Sequence, residues 1–482
     1  MNYALVLNLL GRLLAVEAGL MMPSLFVALA DGGRDALAFA YSIILALAAG
    51  LLLILFFRPR ERELHAYEGL VVVGLAWALL SAFGALPFMF SGAAGYFWDA
   101  YFETVSGFTT TGATIFSQVE QFGKGILFWR SFTHWVGGMG ILILTLAVMP
   151  KLGARSAFLA RAESPGPTFS RMLPRMRDTA RVLYAIYAVM TLLLTGLLML
   201  SGLPLFDAAI HALGTAGTGG FSNRNLSVGA YNNVAAEILI TVFMFLFGTN
   251  FIVYFRLLKG EGIKALRHEE IRTYYLIGLV AIAVITLNTT AHYGDAATAL
   301  RHASFQVASI MSTTGFSTSD FDLWPQFSRI LLVLLMLIGA CAGSTGGGIK
   351  VSRIMLMGKS AGREIGHTVR PRHVKTIKLE GRLVDAETLH SVMVFFIIYV
   401  FFLLLGTLLA SLDGVNFTTS FSATASCLSN IGPGLSLVGP MESYGHFSPG
   451  VKYMFSGLML LGRLEFIPLL VLFHPAVWRR AH

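Results

Sequence analysis

Four short glycine-centred segments recur down this chain at intervals of about a hundred residues, each after a short helix-like stretch. They read Thr110-Thr111-Gly112-Ala113-Thr114, Thr218-Gly219-Gly220-Phe221-Ser222, Thr313-Thr314-Gly315-Phe316-Ser317 and Asn430-Ile431-Gly432-Pro433-Gly434. Glycine adopts backbone conformations that cost other residues dearly. Small hydroxyl residues beside it leave room for carbonyls to turn toward an axis. A ring of such carbonyls replaces the hydration shell of a monovalent cation. One such segment is weak evidence, because threonine and glycine also pack membrane helices. Four in the same context predict one chain that supplies all four quarters of a ring. Asn430 and Pro433 make the fourth quarter the least regular.

The chain around these segments is apolar. Its 482 residues have a mean hydropathy of +0.70 and only 13% are charged, where soluble proteins carry about 25%. Many stretches reach the ~20 residues a bilayer-spanning helix needs. The expected class is an all-α polytopic membrane protein. The net charge of +9 is crowded into a few loops: 58–62, 151–181, 256–272, 350–382 and the pair Arg479 and Arg480. The positive-inside rule places these loops, and both termini, in the cytoplasm. No basic domain interleaved with aromatics is present, so nucleic acid is not an expected partner. The two cysteines, Cys341 and Cys427, form neither a disulfide framework nor a zinc spacing. Ala28-Leu29-Ala30 resembles a signal-cleavage site. A charged start is missing, however, and Arg12 and Glu17 interrupt the apolar run, so a retained helix is expected.

Residues 1–68 read as a leading pair of spans, near 1–30 and 36–57. Four repeats follow, at 69–181, 182–271, 272–388 and 389–482. Each reads as outer helix, short helix, glycine segment, inner helix. The inner helices are expected near 125–149, 232–257, 328–359 and 450–473. The short helices cannot cross a bilayer, so each enters and returns. Their negative C-terminal ends then face the ring and favour a cation. Asp99 and Asp207 stand at equivalent places as expected N-caps. Phe102, Ile210 and Phe305 also stand at equivalent places, ahead of their glycines.

Two further features lie past the glycine segments. The run Gly339 to Gly348 interrupts the third inner helix at membrane depth, where irregular backbone is tolerated only if buried in protein or lining a cavity. Gly343, Ser344, Thr345, Gly346, Gly347 and Gly348 are therefore candidate gate residues, with a close-packed glycine helix as the alternative. The run mimics a phosphate-binding loop, but Ile349 stands where that motif needs lysine and Lys350 comes one residue late. Arg463, with Glu465 close behind, is a charge within an apolar helix. It either faces the pathway beneath the ring or pairs with a carboxylate such as Glu465. Lys350 either acts similarly or is the first residue outside the membrane. His134, His211 and His302 read as hydrogen-bonded packing residues. Glu103 and Glu237 either add negative potential at the mouth or buttress it.

On these features the chain resembles the Trk/Ktr/HKT superfamily of potassium transporters. The likeness covers the leading pair, the four repeats, the four glycine segments, the glycine run and Arg463. The resemblance implies a potassium transporter rather than an enzyme, in a bacterial inner membrane, with K+ as transported ion and no organic cofactor on this chain. It implies a homodimer in a lipid bilayer that works with a cytosolic ring of TrkA-type nucleotide-binding regulatory subunits. It also implies that 339–348 is an intramembrane gate, that Arg463 lies in the ion path, and that four glycines go with potassium preference. Conduction and H+- or Na+-coupled symport both remain open at this point. A receptor or scaffold is disfavoured by the fourfold repetition.

Overall fold

A computed structural model describes residues 1–59, 65–140, 176–262, 267–370 and 376–478. The leading pair is α1 (Tyr3–Ala30) and α2 (Ala36–Phe56). Asn2 starts α1 by accepting a hydrogen bond from the Leu5 N–H at 3.1 Å. The pair crosses at glycine: a Cβ on Gly11 would stand 2.7 Å from the Gly50 carbonyl oxygen. Close backbone approach of this kind is how membrane helices gain packing without a hydrophobic drive. Most of α2 faces outward, with Leu37, Ile44 and Leu52 exposed.

The four repeats follow in order. The first has α3 (Ala66–Gly84), α4 (Leu86–Phe90), the short helix α5 (Phe97–Phe108) and α6 (Lys124–Gly138). The second has α7 (Met176–Leu200), the short helix α8 (Leu205–Gly217), α9 (Val234–Phe247) and α10 (Phe251–Leu258). The third has α11 (Glu269–Tyr293), the short helix α12 (Ala296–Met311), α13 (Gln326–Ile338) and α14 (Val351–Val369). The fourth has α15 (Ala386–Ala410), the short helix α16 (Phe417–Ser429), α17 (Pro449–Arg463) and α18 (Ile467–Leu470), before α19 (Pro475–Trp478). Six helices among the described residues are long and apolar enough to cross a bilayer, and a seventh span results if α9 and α10 count as one. The outer helices turn Leu192, Leu287 and Leu408 outward, as lipid contact allows. The short helices sit inside and are almost wholly buried from Phe102, Ala208, Phe305 or Ala423 onward.

The inner helices differ from expectation. Only the third was expected to break. Helix α9 turns into α10 with a bend of 89°, and α17 ends at Arg463 before α18 begins. Helix α6 ends at Gly138, with Gly140 at φ +79°, and residues 141–149 of the expected helix lie outside the described residues. The α9–α10 break is satisfied by Asn250, which accepts from the Ile252 N–H at 3.0 Å. The α17–α18 break places Glu465 and Phe466 at φ +56° and +68°, a conformation costly for side chains of this kind. A two-stranded hairpin, β1 (Lys378–Leu379) with β2 (Arg382–Leu383), is a small departure from an all-helical chain.

The expected N-caps also shift. Tyr96 and Pro204 cap α5 and α8, while Asp99 and Asp207 lie inside the first turn. Asp99 takes the Lys452 ammonium at 2.7 Å and Asp207 takes Asn223 at 2.7 Å. Asp295 and Asn416 do cap α12 and α16. Of the basic loops, residues 60–62, 151–175, 263–266, 371–375 and 479–480 lie outside the described residues.

The turn between α1 and α2 is fastened to the start of α6. Asp35 accepts from the Ile126 N–H at 3.3 Å, and Asp31 accepts from the Lys124 N–H at 3.1 Å. Helix N-termini leave such N–H groups unpaired, and here another segment supplies the acceptors. Hydrogen bonds from Lys124 hold the Asp31 carboxyl below its ordinary range. Replacing both Asp31 and Asp35 with alanine should lower stability by about 1–2 kcal/mol. Thermal unfolding in detergent micelles measures this, and an unshifted midpoint would remove these carboxylates from the account of how the pair docks.

Candidate functional site

The four glycine segments share one backbone pattern. Thr110, Thr218, Thr313 and Asn430, each two residues before a glycine, have φ of +57°, +55°, +61° and +57°. Gly112, Gly220, Gly315 and Gly432 have φ of +80°, +78°, +85° and +104°. Thr111, Gly219, Thr314 and Ile431 stand between them. Alternation of hand turns successive carbonyls to the same side of the strand, the arrangement an ion-coordinating loop needs. Asn430 therefore follows the threonines, and the fourth segment departs only at its glycine.

Packing closes the segments into a ring. A Cβ on Gly112 would collide with the Gly219 carbonyl oxygen, one on Gly220 with that of Thr314, and one on Gly315 with that of Ile431. One on Gly432 would stand 2.7 Å from the Thr111 oxygen. Each glycine thus makes room for the next segment, in chain order, and the last returns to the first. Above the ring lies a cavity of about 120 Å³ reached by all four glycines. Ala113, Phe221 and Pro433 line it as well, whereas Phe316 packs inward against His211, with ring centres 5.4 Å apart.

Side chains behind the ring hold it. Glu103 on α5 is fully buried and accepts from Arg130 at 2.8 Å, the Thr114 hydroxyl at 3.0 Å and the Ile115 N–H at 3.0 Å. Arg130 on α6 donates to the Ser222 carbonyl at 3.0 Å and lies 4.1 Å from the centre of the Phe221 ring. Glu103 is a buttress, not a free charge at the mouth. Glu237 likewise is buried and faces Arg301. His134 accepts the Phe221 N–H at 3.2 Å through Nε2, so Nδ1 carries the proton and donates to the Gly107 carbonyl at 2.8 Å. His211 and His302 meet Ser222 and Thr318 at 3.0 and 2.9 Å, so all three histidines are hydrogen-bonded. Tyr444 donates to the Gly432 carbonyl at 2.8 Å, and Asn430 donates to the Thr111 hydroxyl at 3.0 Å. Arg130 and Tyr444 were missed in the sequence. The signal for Arg130 was there: a cation in an apolar run demands a partner.

Below the ring, residues from Gly339 to Lys350 form a buried, non-helical loop rather than a packed glycine helix. Its anchors come from several repeats. Gly347 N–H donates to the Thr313 hydroxyl at 2.6 Å, within the third glycine segment. The Gly343 carbonyl accepts from Phe251 N–H at 3.0 Å, and Thr345 donates to the Phe247 carbonyl at 3.2 Å. Ser344 closes a turn onto the Cys341 carbonyl at 2.7 Å, and its hydroxyl accepts from the Gly346 N–H at 3.3 Å. Gly348 has φ +76° and lies against Gly339. Glu270 accepts from Ala342 N–H at 2.7 Å and Ser352 N–H at 3.1 Å.

Two cations meet the loop. Lys350 is buried, with its ammonium on the Gly346 carbonyl. Arg463 donates to the Thr345 carbonyl at 2.7 Å and the Gly138 carbonyl at 2.8 Å, and also to Gly137. Glu465 takes Arg353 at 3.0 Å, so the ion pair weighed for Arg463 belongs to Arg353. Among the described residues no cluster of His, Cys, Asp and Glu could hold a metal ion.

Four re-entrant helices whose loops close one ring inside an apolar bundle define a fourfold pore-loop membrane protein. The TrkH family, described as cation transport proteins, matches residues 36–480, and the chain belongs to it. It is 37% identical to the Trk system potassium uptake protein TrkH of Salmonella typhimurium, over 99% of this chain and all of that one. It is 36% identical to the TrkH of Escherichia coli K12 over the same shares. The crystal structure of the potassium transporter TrkH from Vibrio parahaemolyticus superposes with a TM-score of 0.89 at 33% identity, over 99% of this chain and 100% of that one.

Breaking the buried Arg130–Glu103 pair from one side leaves a lone charge. Arg130→Met should therefore cost about 3–5 kcal/mol. The double variant Arg130→Met with Glu103→Gln should recover part of that. Chemical unfolding in micelles checks both, and equal stability of Arg130→Met and wild type would contradict the buttress.

Proposed function

We propose that this protein takes up potassium across the bacterial cytoplasmic membrane, by conduction through the ring of glycine segments. The carrying observation is the closed circuit of glycine–carbonyl contacts from 112 to 219, 220 to 314, 315 to 431 and 432 to 111. A ring built from four loops of one chain can exchange a hydration shell for carbonyl oxygens. The potassium named for the matched relatives is the ion such a ring suits.

In this reading the Gly339–Gly348 loop is the gate and Arg463 is its latch. The loop lies directly against the ring through Gly347 and Thr313. Arg463 binds the loop to the end of α6 and repels cations in a low-dielectric setting. The chain acts as a homodimer with both termini in the cytoplasm. A cytosolic TrkA-type nucleotide-binding subunit docks on the basic loops at 151–181 and 359–382 and moves the gate.

Flux into liposomes holding the purified protein tests this. Gly220→Ser and Gly315→Ser should each lower potassium-over-sodium discrimination about tenfold, which takes only ~1.4 kcal/mol of relative ion binding. Unchanged permeability ratios in both would reject the ring as filter. Arg463→Ala, or deletion within 343–348, should raise flux at unchanged selectivity, while Arg463→Lys stays nearer wild type. Equal or lower flux in both folded variants would place the gate elsewhere. Reversal potentials that follow potassium alone support conduction; potentials that follow the proton or sodium gradient would establish coupled symport.

A further inference from the structure

Outside the ring, α9 and α12 enclose a second cavity, of about 470 Å³. Its rim is apolar and open: Val234, Ile238, Val242 and Leu300 line it and are each about half exposed. Its charged groups are Glu237 on α9 and Arg301 on α12. Arg301 Nε stands 3.4 Å from Glu237 Oε2. Yet neither atom has a hydrogen-bond partner among the described residues, although Glu237 is only 4% exposed. A guanidinium and a carboxylate at membrane depth are expensive unless paired and hydrogen-bonded. This pair is close but misaligned, and it leaves donor and acceptor capacity unspent beside a cavity.

The place of the cavity says what could use that capacity. Val234 opens α9 and Ala296 opens α12, both at the end of the bundle where the ring has its mouth. Glu237 and Arg301 lie within the first two turns of their helices. We propose that this groove binds a phospholipid whose head group carries a phosphate and a protonated primary amine. The phosphate takes the Arg301 guanidinium, which suits two acceptor oxygens at once. The ammonium donates to the Glu237 carboxylate. An acyl chain lies along Val234, Ile238 and Val242. A choline head group has no N–H to give Glu237, and a glycerol head group has no cation, so the site discriminates among phospholipids. Helix α12 leads straight into the third glycine segment, so the bound lipid braces one quarter of the ring from outside.

The test uses full-length protein, delipidated in detergent, with short-chain phosphatidylethanolamine, phosphatidylcholine or phosphatidylglycerol added. Phosphatidylethanolamine should raise the unfolding temperature, and the other two should not. Arg301→Gln and Glu237→Gln should each weaken that response roughly tenfold or more in lipid concentration, as loss of a hydrogen bond to a charged group would. Thr241→Phe fills the groove and leaves the ion pair intact, and should abolish the response in a protein that folds normally. Equal shifts from all three lipids would overturn the proposal, as would a phosphatidylethanolamine shift that survives Thr241→Phe. An equal shift from phosphatidylglycerol would reduce the site to anion binding and overturn the two-point reading. Cross-linking of Ile238→Cys between two copies, with no lipid response, would show that a second chain covers the groove and would also overturn it.

Discussion

A membrane interior offers no water to a peptide group that has lost its helix partner, and this chain ends or breaks helices there repeatedly. Every such place must be rebuilt with donors and acceptors from elsewhere in the fold. Arg463 supplies donors to the carbonyls at the end of α6 and to the loop carbonyl of Thr345. Glu270 supplies an acceptor to two N–H groups flanking the same loop. Asn250 and Thr345 do the same around the α9–α10 bend. The charged and amide side chains at these breaks meet the peptide groups that the interrupted helices leave unpaired.

The ring obeys the same constraint at closer quarters. Left-handed residues at 110, 218, 313 and 430 are strained. They persist because neighbours fix each segment from behind. His134 and Arg130 tie the first repeat to the second, and Asn430 ties the fourth to the first. The strain is thus held by contacts between repeats, and no single repeat could keep its loop in this shape alone.

The sequence made the ring legible because only glycine tolerates those contacts, and a glycine among small hydroxyls is conspicuous in an apolar chain. The 339–348 loop was legible for the same reason. The other breaks were not. The chain turns at Glu465 and Phe466 through left-handed conformations that their residue types do not advertise, and tertiary contacts decide them. Asp99 and Asp207 looked like caps, but Lys452 and Asn223 bind them from outside the helix, and backbone geometry supplies the caps one turn earlier. Glu103 and Glu237 could be flagged as costly, while their arginine partners required the fold.

A ring assembled from four identical chains changes in all four places whenever one codon changes. Here the quarters are separate stretches of one gene, and the fourth already carries Asn430, Ile431 and Pro433 where another quarter has threonine, threonine and alanine. A substitution in this chain alters one side of the ring and leaves three intact. Selection can therefore retune the opening in quarter steps, and can make it lopsided, which a symmetric assembly has no means of doing.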